Sequence, residues 1–170
     1  SGQTDNNVLP VVLIHGLFGN YENLGVIARS LSEQYRVINV DVRNHGRSFH
    51  SDEMTYPLMA DDLLQTLDSL HINSVNLLGH SMGGKLAMAF ALAQPQRVSK
   101  LILADIAPVA YPARHNTIFA GLNAVDLTAI NNRNDANAKL ADYIDEPGVR
   151  QFLLKSLLKQ DDKFSWRFNL

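Results

Sequence analysis

Two short stretches of this chain carry residue types suited to nucleophilic acyl transfer. Gly79-His80-Ser81-Met82-Gly83 places a serine between glycines, directly after the apolar run "SVNLLG" (74–79) and before the alanine-rich helical spacing of 82–93. A G-x-S-x-G pattern where a strand turns into a helix bends the backbone sharply and lifts the hydroxyl clear of it. The helix then aims its free N–H groups at charge developing beside that hydroxyl. The plainer reading is a glycine-rich turn whose serine caps the helix. The second stretch is His15-Gly16-Leu17-Phe18-Gly19, which follows the apolar run "VLPVVLI" (8–14). An oxyanion on a tetrahedral intermediate calls for two amide donors, each worth about 3 kcal/mol of transition-state stabilisation. The expected donors are Met82, next to the serine, and Leu17, in the loop shaped by His15 and Gly16. His15 itself is expected to build that loop rather than move a proton.

Holding these residues in place requires strands that end side by side. Strands are expected at 8–14, 35–42 ("YRVINVDV"), 74–79 and 99–107 ("SKLILADIA"), with helices at 22–34, 56–70 and 82–93. Such alternation predicts right-handed βαβ units and a doubly wound, mostly parallel α/β sheet. The first of these strands, "VLPVVLI", is a continuous apolar run rich in Val, the pattern of a strand covered on both faces. Pro57 falls in the first turn of the second helix, and Gln94-Pro95 ends the third. After Pro108 the character changes. "NTIFAGLNAVDL", "ANAKLADYI" and "VRQFLLKSLLKQ" read as short amphipathic helices, with no further strand, forming a helical cap set over one end of the sheet. The expected division is 1–107 as the N-terminal part of the core and 108–170 as the cap.

Composition narrows the function classes. The 170 residues are 46% apolar and 19% charged, which excludes wholesale disorder. A net charge of −2 with mixed signs attracts neither nucleic acid nor an anionic membrane surface. Cysteine is absent, so there are no disulfides or thiolate metal sites, and a reducing cytoplasm is the expected location. The apolar runs are too short to span a bilayer, and no signal peptide is read at the N-terminus. "SGQTDNN" reads as a processed end or a cloning remnant.

"HGLFG", "DVRNHGRS" (41–48), "GHSMGG" (79–84) and "LILADIAP" (101–108), in this order, resemble the α/β-hydrolase superfamily and, within it, the small bacterial YbfF-type esterases. "FLLKSLL" and "WRFNL" are similar to that family's cap. The resemblance implies Ser81 as nucleophile, the amides of Leu17 and Met82 as the oxyanion hole, and Asp105 as the triad acid; a cap of the following turn is the alternative for Asp105. It also implies that the 41–48 segment braces the elbow, with Asp41 paired to Arg43 and Ser48 serving loop amides. Asn44 stands where many members have glycine. His80 is expected to be a packed elbow residue turned away from the site. Phe18, Met82, Ile106 and Phe119 are the candidates for an acyl pocket. Lys155, Lys159 and Lys163 read as a solvated face, or as contacts for the phosphates of an acyl-CoA.

The implied activity is hydrolysis of a small-molecule carboxylic ester or thioester through an acyl-enzyme, with no metal or organic cofactor. The alternatives are a C–C hydrolase, a cofactor-free haloperoxidase, or a binding module that kept only the fold. Dehalogenases and epoxide hydrolases carry aspartate at the elbow, which Ser81 argues against. In this fold the histidine base comes last in the chain. Only His115 follows Asp105, at the entrance to the cap. The expectation is therefore that the C-terminal core strands and the catalytic histidine are absent. The sheet would then present an open edge to a homodimer partner or to a complementing C-terminal segment.

Overall fold

Val11 and Leu13 face one side of a sheet while Val12 and Ile14 face the other, and all four are buried. This run forms β1 (Val11–Ile14) in the computed structural model, which describes residues 8–112 and 115–170. β1 pairs in parallel with β2 (Val37–Val40) on one side and β3 (Val75–His80) on the other; β3 pairs in parallel with β4 (Val98–Ala104). The strand order is β2-β1-β3-β4.

Helices cover both faces of β1, which is why that strand is apolar throughout. Residues around α1 (Gly25–Leu31) pack Leu24, Ala28, Leu31 and Tyr35 onto Val11, Leu13 and Leu78. On the opposite face, α2 (Tyr56–Ser69) and α3 (Met82–Ala93) pack Met59, Leu63, Leu67, Leu86 and Phe90 against Val12, Ile14 and Leu77. α2 starts where expected: the Thr55 hydroxyl accepts from Leu58 N at 3.4 Å, and Pro57 lies in the first turn. α1 is shorter than its pattern suggests, because Tyr21–Leu24 is a 3-10 turn capped by Asn20.

The chain leaves β1 for β2 on one side and returns to β3 on the other. Loops leaving the carboxyl ends of β1 and β3 therefore diverge, and ligands of open parallel sheets bind in the crevice this creates. β4 is an outer strand of the described sheet, and its Leu101 and Ile102 are exposed.

Two compact units divide the chain, Ser1–Pro108 and Val109–Leu170. The second contains α4 (Asn116–Ala124), α5 (Arg133–Ala141) and α6 (Pro147–Leu154). An antiparallel hairpin follows, β5 (Leu157–Gln160) and β6 (Lys163–Trp166). This corrects the all-helical expectation: "VRQFLLKSLLKQ" is helical only to Leu154. The hairpin buries Leu157 opposite Trp166, which stacks on Phe168 with ring centroids 5.3 Å apart. Its turn residues, Asp161 and Asp162, both have positive φ (48° and 61°), as a two-residue hairpin loop demands. The "SGQTDNN" reading and positions 113–114 lie outside the described residues, and His115 is the N-cap residue of α4. Among the described residues no helix is long and apolar enough to cross a membrane.

Candidate active site

His80 of β3 is in register with Ala104 of β4, so Ser81 and Asp105 leave adjacent strand ends together. Ser81 N donates to the Ala104 carbonyl at 2.9 Å. The Ser81 backbone sits at φ 52°, ψ −115°, a region that costs a side chain energy and persists only when the surroundings enforce it. They do so by close approach. A β-carbon on Gly79 would overlap the Gly83 carbonyl, and one on Gly83 would overlap the carbonyls of Ile14 and His15. The start of α3 is thereby seated on the end of β1. The Ser81 side chain makes no capping bond to the helix, so the cap reading fails. The Met82 and Gly83 amides, first in the helix, have no intrahelical acceptor.

Facing the elbow is the loop after β1. A β-carbon on Gly16 would stand 3.4 Å from Ser81 Cβ and 3.0 Å from His80 Nδ1, so this loop lies directly against the Ser81 turn. Gly19 N closes the turn onto the Gly16 carbonyl at 3.0 Å. Phe18, at φ 61°, donates its N–H to His45 Nε2 at 3.0 Å. Among the described residues no acceptor takes the Leu17 N–H. Leu17 and Met82 thus carry amides with no described acceptor, Met82 next to Ser81 in the chain and Leu17 in the loop that lies against its turn.

His15 is buried and hydrogen-bonded, as expected. Val42 N donates to its Nε2 at 3.1 Å, so that nitrogen is bare and Nδ1 carries the proton, donated to the Gly16 carbonyl at 2.8 Å. Burial pushes the His15 pKa down from 6.5 to about 4, partly offset by the Gly16 bond. His15 is therefore neutral, and its 3.9 Å approach to Asp41 is not an ion pair. His45 is also buried, which lowers its pKa; its Nδ1–H donates to the Arg43 carbonyl at 3.0 Å.

The brace from the segment after β2 is built differently from the expectation. Arg43 does not pair with Asp41. Its guanidinium forks onto Asp62 of α2, at 2.6 and 2.7 Å, which raises its pKa further. Asp41 instead accepts from Tyr21 N at 2.7 Å and Arg47 N at 2.9 Å. The role expected of Ser48 falls to Asn44, whose side chain exchanges two hydrogen bonds with Ser51 at 2.9 and 2.7 Å. Asn44 has φ 64°, a conformation asparagine tolerates better than most side chains.

Asp105 is at φ 55° with its side chain 86% exposed. His80 is not turned away. Its ring is nearly half exposed, lies beside Gly16, and brings Nε2 to 3.8 Å from the Asp105 carboxylate. Phe18, Asn44, Ser81 and Asp105, one after each parallel strand, are all non-glycine residues at positive φ. Sequence reading missed this shared feature, and Asn44 was its one visible signal.

Ile106 packs so closely on Gly84 that a β-carbon there would collide with it. Phe18 is buried, and Phe119 belongs to the second unit, where it is partly exposed. Lys159 is already engaged, 3.0 Å from Asp162 and over the Phe164 ring. A cavity of about 340 Å³ lies between β2 and α2, lined by Asp41, Arg43, Phe49, Asp62 and Thr66; Ser81 is not part of it. Among the described residues no cluster of three or more His, Cys, Asp or Glu could hold a metal.

A family model described as "alpha/beta hydrolase fold" matches residues 10–168. The chain is 46% identical to esterase YbfF of Escherichia coli (strain K12), over 100% of this chain and 66% of that protein. It is 41% identical to the sn-1-specific diacylglycerol lipase of Danio rerio, over 95% of this chain and 53% of the lipase. A solved structure named "Marine microorganism esterase" superposes with a TM-score of 0.91 at 40% identity, covering 98% of this chain and 66% of that one. The chain thus spans 53% to 66% of the length of these relatives.

Proposed function

The chain belongs to the alpha/beta hydrolase fold family, and on that premise we propose that it carries the nucleophile, oxyanion hole and acid of a serine hydrolase acting on small carboxylic esters. Ser81 Oγ attacks the acyl carbonyl and loses its proton to a histidine base supplied from outside the described residues. The amides of Leu17 and Met82 hold the resulting oxyanion. Collapse of the intermediate expels the alcohol, which takes the proton from the base. Water then attacks the acyl-enzyme by the same route, releasing the acid and restoring Ser81. Asp105 orients the histidine and stabilises its imidazolium. In this reading Ile106, Phe18 and Phe119 are the acyl-pocket candidates, and the second unit is the family's cap segment.

One observation carries the reading. Ser81 is held at a costly backbone angle by neighbouring elements, yet its hydroxyl makes no capping bond to the helix it precedes. A merely structural serine would use that hydroxyl locally. Thioesters such as acyl-CoA meet the same chemistry and are the second substrate class. The ion pair of Lys159 with Asp162 leaves only Lys155 and Lys163, of the three candidate lysines, without a described acidic partner for the phosphates.

Treating the full-length protein with a fluorophosphonate probe and mapping the adduct tests the reading. p-Nitrophenyl esters and acyl-CoAs of graded chain length, assayed alongside, separate the two substrate classes. The expected outcome is an adduct on Ser81 that blocks turnover. Ester turnover without an adduct on Ser81 would overturn the assignment.

A further inference from the structure

The loops after β1 and β2 are joined by two histidines that exchange roles. His15, in the first loop, accepts Val42 N–H from the second; His45, in the second, accepts Phe18 N–H from the first. The rings lie 5.3 Å apart, both buried. Each Nε2 must be bare to accept, and each Nδ1–H is spent on a main-chain carbonyl: Gly16 for His15, Arg43 for His45.

The Gly16 carbonyl shares its peptide plane with the Leu17 N–H. In a trans peptide the two point in opposite directions. His15 Nδ1–H and Gly19 N–H, converging on the Gly16 oxygen at 2.8 and 3.0 Å, therefore dictate where the Leu17 N–H points. They also polarise that amide, which strengthens it as a donor. His45 fixes the next peptide through Phe18, whose φ of 61° needs outside support.

We propose that His15 and His45 act as a reciprocal latch, positioning residues that aim the Leu17 donor at the oxyanion without touching substrate. The proposal rests on the serine-hydrolase reading above. Its chemistry requires both imidazoles neutral and in one tautomer; their partners leave no other arrangement.

The test uses the full-length protein with two variants. His45→Phe keeps the ring's bulk but removes the acceptor. His45→Gln presents an amide oxygen in place of Nε2. With a p-nitrophenyl ester, His45→Phe should lower kcat by about 10- to 100-fold, somewhat less than outright loss of a donor, with KM within about twofold. His45→Gln should recover kcat to within about fivefold of wild type. A folded His45→Phe protein with wild-type kcat overturns the latch, and so does a His45→Gln protein that is no better than the phenylalanine variant. Should His45→Phe fail to fold, His45→Gln decides alone: near-normal kcat and KM support the latch, and a hundredfold loss in folded protein refutes it. Failure of the underlying reading looks different, because wild type itself would then show no fluorophosphonate adduct on Ser81.

Discussion

Ser81 and the Asp161–Asp162 turn hold side chains at similar positive φ, 52° against 48° and 61°, for opposite reasons. In the hairpin the cause is local. Two residues must join two twisted antiparallel strands, and only positive φ lets them do so. The turn then closes on its own ion pair, Lys159 with Asp162 at 3.0 Å. Around Ser81 the flanking glycines make room for the bend, but joining a strand to a helix does not by itself require it. The serine makes no side-chain cap, and the angle is imposed by the Ala104 carbonyl and by the tight seating of Gly79 and Gly83. Strain required by a turn is a matter of connection. Strain imposed by neighbouring elements marks a place where the position of one atom matters.

Relieving each strain separately should expose the difference. Ser81→Gly removes both the unfavourable backbone and the hydroxyl. Ester turnover should fall by at least about 10⁴-fold, while thermal unfolding shows equal stability or a gain of about 1 kcal/mol. Retained turnover would place the nucleophile elsewhere. Gly83→Ala attacks the packing instead. Its methyl group would meet two carbonyls at the end of β1, so a loss of about 3 kcal/mol is expected in denaturant titrations, together with slower labelling of Ser81. An unchanged midpoint would show that the elbow has more room than its contacts imply.

Acid should act on the brace rather than on the hairpin. Folded His15 resists protonation until about pH 4, whereas the unfolded chain takes up the proton near 6.5. The unfolded state therefore binds more protons between these values, and stability falls as pH drops through that window. The loss is about 1.4 kcal/mol per pH unit and about 3 kcal/mol in all, with no contribution from this group above 6.5. Burial of His45 adds in the same direction. Denaturation midpoints at pH 7, 5.5 and 4 measure it, and a flat series would refute two neutral buried imidazoles. The smallest effect belongs to the turn. Asp161→Asn with Asp162→Gly should stabilise by about 1 kcal/mol or less and leave ester turnover unchanged; altered turnover would contradict a purely connecting role.

The strands and the elbow were legible because their signals are local. A continuous apolar run such as Val11–Ile14 can only be a doubly covered strand, and glycines flanking Ser81 can only serve a cramped turn. The hairpin was not legible. "LLKSLLKQ" repeats leucines at helical spacing, and Asp-Asp lacks the glycine that usually signals a two-residue turn. The register of Leu157 with Trp166, which buries both, decided the matter. Arg43 misled for a related reason. Asp41 was its nearest acid in the sequence, but Asp62 on α2 presents a carboxylate that its fork can meet twice.

What the chain's order of residues determined by itself is the list of chemical parts and the strand each one follows: a serine, two candidate amides and a carboxylate, each just past an apolar run. Only the folded sheet decided how those parts face one another. Ile14 lies beside Val40 and Gly79, so the two histidines, 27 positions from their amide partners, can lock the loops reciprocally. Apolar burial and turn chemistry are properties of neighbouring residues and can be read along the chain, whereas hydrogen-bond direction depends on which strand ends the pairing register brings together.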